Sequence, residues 1–316
     1  MNYLSKDEYL YNLLDLKIII NKQEKNFRKN IIQCGCFMMN EDRVNFWLEL
    51  SDKISVNVEQ AISDARCDPD LSSVTKMGAD GTPTHKIDEI AEDCVIKDLT
   101  DSGRSLVLIS EEIGEIKIGD DDAEVLMILD PLDGTSNATR NMPCYGISIA
   151  LADLTKKSLD DVTLDDVEVA YVKNFPTGDV YSAVKGRGAF KNHEQITPIS
   201  TVGKVRDATL CSYVYRAKSE KLSNLCSSVR RMRIMGSIAI EMCYVADGAY
   251  DAYLDINEIV RILDIAASQL IIKENGGIVT DYNGNPLSSK LKLTEKTSIM
   301  ATCTKGLHDD MISYLH

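Results

Sequence analysis

Five consecutive apolar residues, Val125-Leu126-Met127-Ile128-Leu129, run without a break into Asp130-Pro131-Leu132-Asp133-Gly134-Thr135. A short apolar run closed by turn-forming residues reads as a buried strand, so two carboxylates stand where a core strand ends. Pro131 fixes its own φ and restricts how the two side chains diverge. Gly134 and Thr135 add backbone N–H groups that can face an anion with little bulk. Oxygen ligands without histidine suit Mg²⁺ or Mn²⁺ rather than zinc. Taken alone, the segment reads more simply as an Asp-Pro turn after a strand, with Asp133 capping a helix.

Other acids occupy comparable settings. Glu111 and Glu112 follow the apolar run Leu106–Ile109, and Asp264 lies between Ile262-Leu263 and Ile265-Ala266-Ala267. A charge in such surroundings requires a partner or a cation. Asp88, in Lys86-Ile87-Asp88-Glu89-Ile90, fits an ordinary solvated helix face. The whole chain carries 49 Asp and Glu against 35 Lys and Arg, a formal net charge of −14, which repels nucleic acid. Nine scattered cysteines without a CxxC pair point to reduced thiols in the cytoplasm. No apolar run has the length of a membrane span, so no membrane partner is expected. The four histidines lack metal-ligand spacing.

Residues 1–40 differ from the remainder of the chain in holding no alanine and no proline. They read as an appendage or as a start placed too early, with Met38-Met39 as a second start; an ordinary helix over Tyr9–Ile20 is the alternative. From Val44 to Ala65, apolar residues at three- and four-residue steps predict a helix with one buried face. A second helix is expected from a Thr84 cap to about Thr100. Strands are expected over Leu106–Ile109, Val125–Leu129, Ile147–Leu151, Val167–Val172 and Asp179–Ala183. Beyond the turn Lys185-Gly186-Arg187-Gly188, strand-like and helix-like segments alternate to the C-terminus. The expected organisation is a sub-domain over 41–188, two helices on a mainly antiparallel sheet, and an α/β sub-domain over 189–316. Asp281-Tyr282-Asn283-Gly284 is a β-turn rather than a calcium loop, and Asp120-Asp121-Asp122 a solvated loop.

Asp130-Pro131-Leu132-Asp133-Gly134-Thr135 resembles the signature of the inositol monophosphatase superfamily, Mg²⁺-dependent phosphomonoesterases. Supporting matches occur in order along the chain: Glu111-Glu112 upstream, Gly186-Arg187-Gly188-Ala189-Phe190, Gly236-Ser237-Ile238, Asp264-Ile265-Ala266-Ala267 and Glu274-Asn275-Gly276-Gly277. The resemblance covers roughly Val44 to the C-terminus. It implies a layered αβαβα fold, with the site between two sub-domains and Asp264 contributed by the second. It also implies two or three Mg²⁺ ions, with Mn²⁺ as a substitute. Glu111, Asp130 and the Leu132 carbonyl would hold the first. Asp130, Asp133 and Asp264 would hold the second, and a weaker third would lie near Glu111 and the Thr75–Thr84 loop. Asp88 would pair with Thr135, and Thr135 with Glu111 would orient and deprotonate the attacking water. Substrate contacts would come from Asp133, Gly134, Thr135, Arg233, Gly236, Ser237, Ile238 and Asp255.

Four such carboxylates within a few ångströms repel by several kcal/mol at an effective dielectric near ~20, so divalent cations are demanded on physical grounds as well. Ser237 capping its own helix, and Arg233 as an exposed strand residue, are the plainer readings of those two positions. Relatives usually carry Trp before the matched aspartate; here Leu263 stands there, with Arg261 three residues before Asp264. This form resembles the archaeal branch, which implies hydrolysis of inositol 1-phosphate and fructose 1,6-bisphosphate by a cytoplasmic homodimer. A nucleotidase acting on adenosine bisphosphate is the sibling alternative, and a non-catalytic phosphate-sugar or metal-binding protein the non-enzymatic one.

Overall fold

The computed structural model describes residues 39–197, 200–214 and 220–316; the reading of residues 1–40 as an appendage lies outside them except for Met39 and Asn40. Helix α1 (Glu41–Ala65) starts at Asn40, whose side chain accepts the Arg43 N–H, and buries Val44, Trp47, Leu50, Ile54, Val58 and Ile62. The hairpin β1 (Val74–Met77) and β2 (Pro83–His85) leads into α2 (Lys86–Asp101). Thr84 does not cap that helix. His85 holds the cap position, its N–H donating to Asp88 at 2.8 Å, and the Thr84 hydroxyl turns to Glu112 instead.

The next elements are β3 (Leu106–Ser110), β4 (Gly114–Ile118), β5 (Val125–Asp133), the one-turn α3 (Thr135–Ala138), β6 (Gly146–Asp153) and β7 (Val167–Asn174). With β8 (Val180–Val184), β9 (Gly188–Lys191) and β10 (Glu194–Gln195) they complete the first half. Eight strands form one sheet in the order β10-β9-β8-β7-β6-β5-β3-β4, antiparallel except for the β3–β5 pair. Because β9 and β10 belong to it, this sheet runs past the sub-domain boundary expected at Gly188.

A second sheet is built from β11 (Thr209–Ser212), β12 (Arg231–Arg233), β13 (Ala252–Arg261), β14 (Ile278–Thr280) and β15 (Lys296–Thr302) in the order β12-β11-β13-β15-β14. Its helices are α4 (Glu220–Ser228), α5 (Ile238–Ala246), α6 (Ile262–Glu274) and α7 (Lys305–Leu315). Alternation along β5 explains the layering. Val125, Met127 and Leu129 pack with α1 and α2, whereas Leu126 and Ile128 join the core around α5 and α6. Leu222, Leu225, Leu307 and Met311 cover the far face of the second sheet. The architecture is a layered α+β fold, αβαβα. Helix α6 is buried from Ile262 to Ile272, as a helix that is apolar all round must be when it lies between two sheets.

Register decides where the acids go. Strands β3 and β5 run parallel with Ser110 opposite Leu129, so Glu111 and Asp130 follow side by side. Strand β5 continues beyond Leu129, with a register shift between Asp130, opposite Ser148, and Asp133, opposite Gly146. Pro131 sits in that bulge, where its missing N–H is tolerated, and the Leu132 N–H donates to Asp130 Oδ1 at 3.0 Å. Gly146 permits this crowding: a Cβ there would lie 1.7 Å from the Lys173 carbonyl oxygen on β7. Gly146→Ala should therefore destabilise the fold by about 3 kcal/mol, as overpacking against backbone does. A urea-unfolding midpoint equal to that of the unaltered chain would contradict the register.

Candidate active site

Asp130 is 1% exposed, and its Oδ2 has no hydrogen-bond donor. Burial, then the neighbouring Glu111 and Asp133, push its carboxyl well above the usual range. Asp133 Oδ2 accepts from the Ser237 hydroxyl at 2.6 Å and the Ala239 N–H at 2.7 Å. Burial and Asp264 still raise it to about 7. Glu111 accepts from the Thr82 hydroxyl at 3.2 Å and is also raised, chiefly by burial. The desolvated like charges that the sequence implied are therefore neighbours in space.

Arg261, the last residue of β13, reaches into this group. Its Nε lies 3.1 and 3.2 Å from the two Asp264 oxygens, and Nη2 lies 2.7 Å from Oδ1. Nη1 donates to Asp80 at 2.7 Å and to Glu111, while Nη2 stands 3.8 Å from Asp130 Oδ2. Burial opposes the guanidinium's charge, but Asp264, Glu111 and Asp130 more than offset it and raise its pKa. Among the described residues, no group of three or more His, Cys, Asp or Glu side chains could hold a metal ion as it stands. The expected ligands gather around a guanidinium rather than forming a closed cage, because crowded carboxylates need positive charge of some kind.

The donor chemistry nevertheless fits a hard divalent cation: several carboxylates, one buried oxygen without a donor, and the Leu132 carbonyl oxygen, 3.3 Å from the Thr135 hydroxyl.

Beside the acids, Thr135 Oγ1 donates to Asp88 Oδ1 at 2.8 Å. Asp88 is thus a buried partner of Thr135 and not part of a solvated face. A cleft lined by Ser72, His85, Thr135, Ser136, Thr139 and Arg140 opens next to this pair. Gly134 precedes Thr135 with φ 93°, and a Cβ there would meet the Cys144 carbonyl oxygen at 3.0 Å, so this turn requires glycine. Glu112 receives the Thr84 hydroxyl and, mainly through burial, is raised to about 7.

Ser237 spends its hydroxyl on Asp133 and makes no cap bond to its own helix. The start of α5 is correspondingly less open than a free phosphate cradle. The Ala239 N–H serves Asp133, and the Met235 and Gly236 N–H groups donate to Glu241 at 2.7 and 2.9 Å. Glu241, fully buried, also takes the Tyr213 hydroxyl at 2.7 Å and the Cys211 thiol at 3.2 Å. Asn137 Nδ2 donates to the Cys144 and Met235 carbonyl oxygens, both at 2.7 Å, which ties the Asp-Gly-Thr turn to the turn preceding Ile238. Arg233 is exposed on the edge strand, its guanidinium 3.4 Å from the Met232 carbonyl oxygen. Asp255 is buried and accepts the Asn257 N–H at 2.8 Å.

Sequence reasoning missed Asp80 and Glu241 and noted Arg261 only as a departure. Asp80 sits in the loop Gly78-Ala79-Asp80-Gly81-Thr82, where no apolar run marks it. Glu241 stood out in principle, as one acid in the otherwise uncharged Ile238–Ala246.

The inositol monophosphatase family model matches residues 44–316. The chain belongs to that family. It is 41% identical over 279 residues to a fructose-1,6-bisphosphatase/inositol-1-monophosphatase of Methanothermobacter thermautotrophicus, covering 88% of this chain and 99% of that protein. A bifunctional NADP phosphatase/NAD kinase of Methanocaldococcus jannaschii is 38% identical over 288 residues, 84% of this chain; the match spans only 49% of that longer protein. Among solved structures, a Pyrococcus horikoshii protein described as similar to inositol-1 monophosphatase superposes with a TM-score of 0.72 at 27% identity, over 86% of this chain and 99% of that one. This inositol monophosphatase relative is thus a phosphoric monoester hydrolase.

Glu241→Ala would leave two backbone N–H groups and a tyrosine hydroxyl without their acceptor. The expected cost is about 2–3 kcal/mol, measurable by urea unfolding, together with reduced phosphatase turnover as the turn before Ile238 loosens. Unchanged stability and turnover would remove Glu241 from the architecture of the site.

Proposed function

We propose that this phosphatase hydrolyses small phosphorylated sugars and inositols, inositol 1-phosphate and fructose 1,6-bisphosphate first among them, with Mg²⁺ as cofactor. The observation that carries the reading is the meeting of Glu111, Asp130, Asp133 and Asp264 beside the Thr135–Asp88 pair. Glu111, Asp130 and the Leu132 carbonyl would hold one ion, and Asp130, Asp133 and Asp264 another. A third would lie near Glu111 and the loop between β1 and β2. Bound divalent ions would supply Lewis-acid charge at the phosphate and at the leaving oxygen, and would let a chain of net charge −14 admit a dianion.

The chain's own residues do the rest. Asp88 accepts the Thr135 proton and leaves the threonine oxygen free to accept from a water, which fixes that water's orientation. Glu111 would take the proton the water loses. Ser237 and Ala239 hold Asp133 in one rotamer. The product leaves without a phosphoenzyme, in line with a site whose nucleophile is water rather than a side chain. A cytoplasmic homodimer accompanies this reading.

The likeness to bifunctional NADP phosphatases favours one further substrate, the 2′-phosphate of NADP. Phosphate release from inositol 1-phosphate, fructose 1,6-bisphosphate, adenosine bisphosphate and NADP, with Mg²⁺ and with EDTA, tests both readings. The expectation is Mg²⁺-dependent turnover, fastest on the sugar and inositol esters. Undiminished release in EDTA would defeat the metal reading, and turnover confined to NADP would replace the substrate class. Asp130→Asn should lower turnover at least ~100-fold, because it removes a ligand both ions share and several kcal/mol of charge stabilisation. Near-normal rates at saturating Mg²⁺ would overturn that assignment.

A further inference from the structure

The four acids that Arg261 approaches come from separate places in the chain. Asp80 lies in the loop between β1 and β2, Glu111 at the end of β3, Asp130 in the β5 bulge and Asp264 in the first turn of α6. Three of these are in the ligand set of the proposed function, on which this inference rests. Arg261 engages both oxygens of Asp264 and Oε1 of Glu111 through N–H donors. A carboxylate oxygen that accepts from a guanidinium at this range cannot also present that lone pair to a cation, and the two positive charges repel.

We propose that Arg261 is a built-in competitor of the divalent cation: it holds Asp264 and Glu111 together in the metal-free chain and must give them up when Mg²⁺ binds, so it sets the metal affinity. Asp80 supplies the alternative seat. It lies outside the ligand sets of the first two ions, in the loop assigned to the weaker third; its side chain is 3% exposed and pairs with Nη1 at 2.7 Å, so the guanidinium keeps one partner while those two ions bind. The side chain is 21% exposed and its stem has the freedom to make that shift. Arg261 thereby acts as a positioning residue: it works through the metal ligands and need not touch substrate.

The test is calorimetric titration of Mg²⁺ into the full chain, without substrate, paired with thermal unfolding in EDTA. Arg261→Gln should bind Mg²⁺ at least ~10-fold more tightly than the unaltered chain, since no internal cation has to be displaced. Its Tm in EDTA should fall, with excess Mg²⁺ restoring it. Equal or weaker Mg²⁺ affinity, or an unchanged Tm in EDTA, overturns the proposal.

Should Arg261→Gln fail to fold, Arg261→Lys answers the same question. It keeps the charge but loses the fork that grips two carboxylates at once, so its Mg²⁺ affinity should exceed that of the unaltered chain; an equal or weaker one again overturns the proposal. Asp80→Asn should shift the balance the other way and weaken Mg²⁺ binding, and unaltered binding there refutes the alternative seat. An unaltered chain that takes up no Mg²⁺ at all defeats the metal reading itself. Normal uptake with no effect of Arg261 substitution defeats this inference alone.

Discussion

Negative charge packed where water is scarce is the constraint around which this site is organised. Asp130 and Asp133 are almost fully buried, with Glu111 and Asp264 near them. Such a cluster is stable only if each carboxylate finds a proton, a donor or a cation. The chain meets that demand in three ways. Ser237 and the Ala239 N–H serve Asp133, the Leu132 N–H serves Asp130, and Arg261 serves Asp264 and Glu111. What remains unmet is above all Asp130 Oδ2, which has no hydrogen-bond donor.

The surrounding fold can hold these groups because all but one of them rest on strands, a helix or a locked turn. Glu111 and Asp130 project from adjacent parallel strands whose register is fixed by cores on both faces. Asp264 belongs to a helix buried between two sheets, and Thr135 comes after a glycine-dependent turn locked by Asn137. Asp80 is the exception, carried by the hairpin loop and drawn in by Arg261. Most of the site is thus placed by rigid elements.

Glu241 illustrates a second kind of support. It touches none of the acids, yet its carboxylate gathers Met235, Gly236, Tyr213 and Cys211 and so shapes the turn from which Ser237 reaches Asp133. Removing charge from this position would act on the site through backbone geometry rather than through electrostatics at the acids.

Much of this was legible in the residue order. The apolar run ending in Asp130-Pro131-Leu132-Asp133-Gly134-Thr135 identified a core strand delivering two acids, and apolar flanks marked Asp264, because local pattern and burial are coupled through periodicity. The family resemblance, now shown over residues 44–316, supplied the Thr135–Asp88 pair that periodicity alone assigned to a solvated face. Tertiary structure alone decided the rest: that β5 runs through a bulge to Asp133, that the first sheet extends past Gly188, that Ser237 bonds Asp133 rather than its own helix, and that Arg261 lies among acids from four segments. Those outcomes depend on register and on contacts between residues up to 181 positions apart, and no local pattern in a sequence encodes which distant charge a flexible side chain will meet.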